Sequence, residues 1–176
     1  FQYSKWIRNI CRIHRGVQGN KIIFHFYMNL NYHCVQIEFG TPEFDEALHL
    51  RDLVLRKPLK MEFTPEDIAT EYDSFHIACY HNVTNELGAF LILKPGSDDK
   101  LKMRQVAVHP ELQSQGLGSF LVNESEKFAK YKGFKVIELH ARDTAVEFYK
   151  KAGYAIRGES FKEVGIDHYF MHKELS

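Results

Sequence analysis

Net charge is the first thing this chain lacks: 23 basic and 23 acidic side chains cancel, so nothing in the overall balance draws it towards nucleic acid or an anionic membrane. It also lacks a long hydrophobic run. The apolar stretch Ile22 to Met28 is broken by His25 and is far too short to span a bilayer. Cysteine is scarce. Cys11, Cys34 and Cys79 are too few and too scattered for a disulfide framework, which suggests a reducing cytoplasm. No Cys-x-x-Cys pair offers zinc, and His33–Cys34 and Cys79–His81 read as ordinary strand residues, so no metal is expected.

Carboxylates are missing from one region altogether. Residues 1–33 carry Lys5, Arg8, Arg12, Arg15 and Lys21 but no Asp or Glu. They also have no clear amphipathic period. The chain opens on Phe1, and Met28 lies just ahead of the first convincing strand. The expectation is that translation starts at Met28 and that 1–33 form an N-terminal extension of upstream or added sequence, ahead of a domain over 34–176. A genuine extension and a targeting segment are the alternatives. DNA binding through this basic segment is a further reading that needs those residues to exist in the cell.

What is present is a soluble-protein composition, 44% hydrophobic and 26% charged, in a length suited to one domain. Val35 to Phe39 alternates as a strand, and Thr41-Pro42 caps a helix running to about Arg56, with Phe44, Leu48, Leu53 and Leu55 as its apolar face and Pro58 as its stop. Thr64-Pro65-Glu66-Asp67 starts a short helical turn. Strands follow at 75–81, 88–93 and 102–108, joined by turns at 82–86 and 95–99. Then come a helix from Leu117 to Lys132, a strand at 135–141, a helix at 144–151 and strands at 154–158 and 166–173. Two helical crossovers around the 135–141 strand imply parallel neighbours, and the hairpins imply antiparallel ones. The pattern gives an α/β fold with a single mixed central β-sheet and helices on both faces.

The most informative stretch joins the strand at 102–108 to the helix at Leu117: Gln113-Ser114-Gln115-Gly116-Leu117-Gly118. Glycines at a strand-to-helix turn expose backbone amides at the positive end of the helix dipole, a setting suited to a pyrophosphate. Gly-Lys-Ser/Thr is absent, as is a third glycine with an acidic residue about 20 positions on, so neither a P-loop nor a dinucleotide fold is at hand.

Three segments in order, Met103-Arg104-Gln105-Val106-Ala107-Val108, the glycine turn, and Ala145-Val146-Glu147-Phe148-Tyr149-Lys150-Lys151-Ala152-Gly153-Tyr154, resemble the GNAT superfamily of acetyl-CoA-dependent N-acetyltransferases. The resemblance covers roughly Val35 to Leu175. It implies a GNAT-like acyl-CoA N-acyltransferase fold, with strands splayed into a cleft, and direct attack of a primary amine on acetyl-CoA in a ternary complex. Val106, Ala107 and Val108 then supply backbone contacts to the pantetheine arm. Gln113, Ser114, Gln115, Gly116, Leu117, Gly118 and Ser119 surround the pyrophosphate. Tyr149 protonates the departing sulfur, since a phenol with a pKa of about 10 stays protonated at neutral pH.

The chain also departs from the family pattern. Arg142 stands where many relatives place a CoA-contacting asparagine; it is a candidate for a phosphate or for an acidic group on the substrate. The 102–108 strand has no carboxylate, which leaves His140 as a candidate base. Arg56, Glu163 and His168 are candidates for the acceptor site. The acceptor itself, a small amine or a peptide amine, is not legible, and homodimers are common in the superfamily. A CoA-binding sensor without turnover is the competing reading.

Overall fold

The computed structural model describes residues 31–176. The expectations for residues 1–30 lie outside the described residues. Eight strands form one sheet. In chain order they are β1 (Tyr32–Ile37), β2 (Phe75–His81), β3 (Leu87–Pro95), β4 (Lys100–Val108), β5 (Val136–Arg142), β6 (Ala155–Ile156), β7 (Phe161–Glu163) and β8 (Ile166–Glu174). Their spatial order is β1-β2-β3-β4-β5-β8-β6, with β7 paired to β8. The helices are α1 (Pro42–Arg51), α2 (Pro65–Ala69), α3 (Leu117–Tyr131) and α4 (Val146–Lys151).

Alternation along the strands sorts side chains onto two faces. Ile77, Cys79, Ala89, Leu91 and Leu93 pack with Leu117, Leu121 and Val122 of α3 and Val146 and Tyr149 of α4. Ala78, Tyr80, Phe90 and Ile92 pack instead against Phe44, Ala47 and Leu50 of α1. The sheet is therefore covered by helices on both faces, as the sequence pattern implies.

Local chemistry accounts for the ends of the helices. Thr41 accepts a hydrogen bond from the Phe44 amide, with Pro42 in the first turn. Thr64 and Asp67 form a reciprocal capping box. The helix expected to reach Arg56 stops being α-helical at Arg51. It widens into a π turn over Asp52–Arg56, closed by the Lys57 amide donating to the Asp52 carbonyl, and then tightens into a 3-10 turn at Lys57–Leu59. Pro58 offers no N–H and would crowd the carbonyl four residues back, so an α-helix cannot run through it. The buried stripe is Phe44, Ala47, Leu50 and Arg51, while Leu53, expected on the apolar face, is exposed.

Other expectations need correction. β1 begins at Tyr32, three residues before the strand read from Val35. That register sets Cys34 directly across from Cys79, and the two are joined as a disulfide. Cysteines 45 residues apart in sequence are thus neighbours in the sheet, which removes the ground for inferring a reducing compartment from their scatter. The crossover through α3 makes β4 and β5 parallel, as expected, but β8 inserts between β5 and β6 and runs antiparallel to both. A three-residue strand, β7, was not legible.

Candidate active site

β4 has a different neighbour arrangement in each half. Lys100 to Met103 pair with Val136 to Leu139 of β5 on one side and with β3 on the other. Beyond Met103, β4 continues along β3, while β5 from His140 to Arg142 continues along β8, so the β4–β5 ladder ends and the strands part. The separation begins at a bulge. Ile92 faces Arg104 and Phe90 faces Ala107, so Gln105 and Val106 together oppose Leu91, and Gln105 takes a φ of 53°.

The extra residue inverts the side-chain parity of the strand. Leu101 and Met103 pack on the α3 side, and so do Val106 and Val108, whereas Ala107 packs on the α1 side. It also fixes which backbone groups face the gap. The His109 amide donates to the Gly88 carbonyl of β3. Alternation then turns the polar groups of Val106 and Val108 away from β3, towards the edge β5 has left. The Val108 carbonyl accepts from Gln113 Nε2 at 3.1 Å, which ties the glycine turn to this edge.

The turn has the form expected of an anion cradle. Gly116 is the N-cap of α3 at φ 90°, and no side chain caps the helix, so the first-turn amides of Leu117, Gly118 and Ser119 have no side-chain partner. Ser114 also lies in the left-handed region, at φ 59°. Gln115 Nε2 donates back to the Glu111 carbonyl at 2.5 Å, so both glutamines brace the loop and leave its backbone to face a ligand. Leu117 is a core residue, and its contribution is an amide alone. A Cβ at Gly118 would sit 3.4 Å from Val108 Cγ2 and 3.6 Å from the Phe148 ring, so this helix approaches both β4 and α4 closely. Between α3 and α4 lies a cleft of about 210 Å³. Ser119, Asn123, Phe148 and Lys151 are among the residues lining it.

Tyr149 lies on this side of the sheet, buried, with its ring edge-on to Phe148 at 4.9 Å and to Tyr154 at 5.7 Å. Burial raises its pKa, so it stays protonated and can act as a donor. Tyr154 is a second buried phenol, its pKa raised by burial and then by the neighbouring Glu126, that the sequence reading did not single out.

On the opposite face the parity of β5 presents His140 and Arg142, since Ile137, Leu139 and Ala141 point to the α3 side. His140 Nδ1 lies 2.7 Å from Glu163 Oε2 and its Nε2 lies 3.2 Å from Lys102 Nζ. Phe161 of β7 closes edge-on over the imidazole at 4.8 Å. Burial works against ionisation of Glu163, but the hydrogen bond of His140 and the nearby basic groups, Lys102 among them, prevail and lower its pKa. Burial, and then Arg104, lower the pKa of Lys102. Only the pairing of β4 with β5 reveals Lys102 as a partner of His140.

Arg142 lies on this second face. Its Nη2 donates towards the Leu55 carbonyl in the π turn at 3.5 Å. Arg56 lies in the same π turn with its guanidinium 4.4 Å from the Phe63 ring. His168 is buried, Nδ1 2.9 Å from the Ile166 carbonyl, and braces the β7–β8 hairpin. The candidate residues therefore form two groups, with the glycine turn and Tyr149 on one face and His140, Glu163, Arg142 and Arg56 on the other. The gap between β4 and β5 lies between them.

Comparison with known proteins agrees with this geometry. A family model described as acetyltransferase (GNAT) domain matches residues 59–175. The Bacillus subtilis protein YyaT is 31% identical over 132 residues, covering 70% of this chain and 87% of its own length. Among solved structures, an N-acetyltransferase from Lactobacillus plantarum superposes with a TM-score of 0.73 at 22% identity, over 83% of this chain and 99% of that one. A GNAT family acetyltransferase from Elizabethkingia anophelis, solved with acetyl-CoA bound, gives 0.64 at 22% identity, over 82% and 99%. Among the described residues no helix is long and apolar enough to cross a membrane, and no group of His, Cys, Asp and Glu is placed to hold a metal ion.

Proposed function

Because this chain belongs to the GNAT family of acetyltransferases, we propose that it transfers the acetyl group of acetyl-CoA to a primary amine by direct attack in a ternary complex. The observation that carries this reading is the parting of β4 from β5 beside a helix whose first-turn amides are uncapped. A pyrophosphate meets the amides of the glycine turn, and a thioester arm lies along Val106 and Val108, whose free N–H groups polarise its carbonyl and hold the developing oxyanion. Lys151, a cation lining the α3–α4 cleft, suits a further phosphate.

The amine lone pair forms the N–C bond while the C–S bond breaks. His140 Nε2 takes the amine proton, and Glu163 holds its Nδ1 and fixes the tautomer. Lys102 occupies Nε2 in the resting arrangement, so the acceptor amine displaces an amine already lodged there. Tyr149 gives its proton to the leaving thiolate.

The test is a thermal melt of the full chain with increasing acetyl-CoA, followed by turnover of Tyr149→Phe on an amine panel. A ligand at a hundred times its dissociation constant adds about 2.7 kcal/mol, enough for a shift of several degrees. No shift at millimolar acetyl-CoA overturns the reading. A shift with unchanged turnover in Tyr149→Phe removes the tyrosine from the mechanism.

A further inference from the structure

The acceptor face carries more positive charge than its own carboxylates neutralise. Arg51 is spent on Glu71, which it grips with both nitrogens at 2.9 and 2.6 Å. Glu138 lies 3.3 Å from Lys100, and Glu163 is engaged with His140. Arg56, Arg104 and Arg142 have no carboxylate partner among the described residues. Arg142 reaches towards the π turn that holds Arg56, and that turn packs over β4, which carries Arg104. Arg56 and Arg104 both lie close enough to the buried Arg51 for their charge to act on it.

Arg56 is the most telling of the three. It is not a loose surface side chain: its guanidinium is held against Phe63, which Arg51 also faces at 4.7 Å, and its Nε is buried, which fixes the direction of the terminal fork. An arginine fork is geometrically matched to a carboxylate or phosphate.

Resting on the acetyltransferase reading, we propose that the amine acceptor bears an anionic group, a carboxylate or phosphate, that is bound by Arg142 and Arg56 with Arg104 flanking, while its amine lies against His140. Polyamines and other purely cationic amines are disfavoured by the same arginines.

The experiment measures kcat/KM with acetyl-CoA for matched acceptors: glutamate against its diamide, phosphoethanolamine against ethanolamine, and putrescine. The anionic member of at least one pair is expected to exceed its neutral partner at least tenfold, with putrescine lowest. Arg142→Gln and Arg56→Gln should shrink that ratio mainly through KM for the anionic acceptor. Which pair shows the preference separates carboxylate from phosphate. Neutral amines or putrescine acetylated as well as the anionic ones overturn the inference and leave the acetyltransferase reading intact. A protein whose melt ignores acetyl-CoA overturns both.

Where acetyl-CoA binds but no acceptor turns over, the melt decides. Glutarate or inorganic phosphate, at matched ionic strength, should stabilise the wild type more than the Arg56→Gln/Arg142→Gln double variant. Equal stabilisation of the two overturns the inference.

Discussion

Acidification should destabilise this protein through one histidine. His76 of β2 is 1% exposed, stacked on Phe90 with ring centroids 6.1 Å apart and edge-on to Phe44 at 5.1 Å, and its Nε2 is buried without a hydrogen bond among the described residues. Burial first, and then the charge of Arg51, push its pKa down from 6.5 to about 4. The folded protein therefore keeps His76 neutral where the unfolded chain takes up a proton. The stability this contributes is complete above about pH 6.5 and is lost as the pH falls towards 4. At 1.36 kcal/mol for each tenfold in proton affinity the loss is at most about 3 kcal/mol, and relaxation and water entry around the charged ring make about 2 kcal/mol the working figure. For a chain of this length that corresponds to roughly 4–8 °C in Tm. Urea melts of the wild type and His76→Phe, stepped from pH 7.5 to 4, provide the assay. The difference between the two should change by about 2 kcal/mol in favour of the variant across that window. Parallel curves would show that His76 titrates normally and would refute the burial argument.

Two further perturbations test the support of the site. Glu71→Ala leaves Arg51 buried without its partner and should cost about 3–5 kcal/mol in chemical denaturation; a loss under about 1 kcal/mol would mean that Arg51 finds another partner or water. At Gly88 a Cβ would come within 2.8 Å of the Tyr32 ring and 2.9 Å of Leu117 Cδ2. Gly88→Ala should therefore cost about 1–3 kcal/mol and, by displacing the start of α3, weaken acetyl-CoA binding in calorimetry; unchanged affinity would separate the glycine turn from its packing on β3.

The donor side of the site was legible because its signals are local. Gly116 and Gly118 sit at a strand-to-helix turn, and the segment from Ala145 to Tyr154 reads as a short helix, so both could be set in order from the sequence, while the role of Tyr149 came from the family resemblance. The acceptor side is assembled from separate strands. Lys102 and His140 are 38 residues apart and meet through the β4–β5 register, while Glu163 arrives on β7, too short to show alternation. His140, Glu163, Arg142 and Arg56 could each be named from the sequence, but not that they share one face. The cysteine pair was missed for the same reason, since cross-strand register has no signature within either strand.

Because the bulge at Gln105 adds one residue, β4 runs in two frames against β3, one before it and one after. Removing a single residue there would leave Ala107 opposite Phe90 and Val108 opposite Ala89, so every residue that follows would keep its face and only the local bend would go. Flattening the bulge at constant length would act differently. Each later residue would slip by one against β3, so Val106 and Val108 would point their side chains where Ala107 now points. The edge offered to a thioester would become one belonging to Ala107. A substitution that forces Gln105 out of its left-handed conformation is therefore more disruptive than the loss of a position, since it would leave every named residue present and the gap between the strands without its donors.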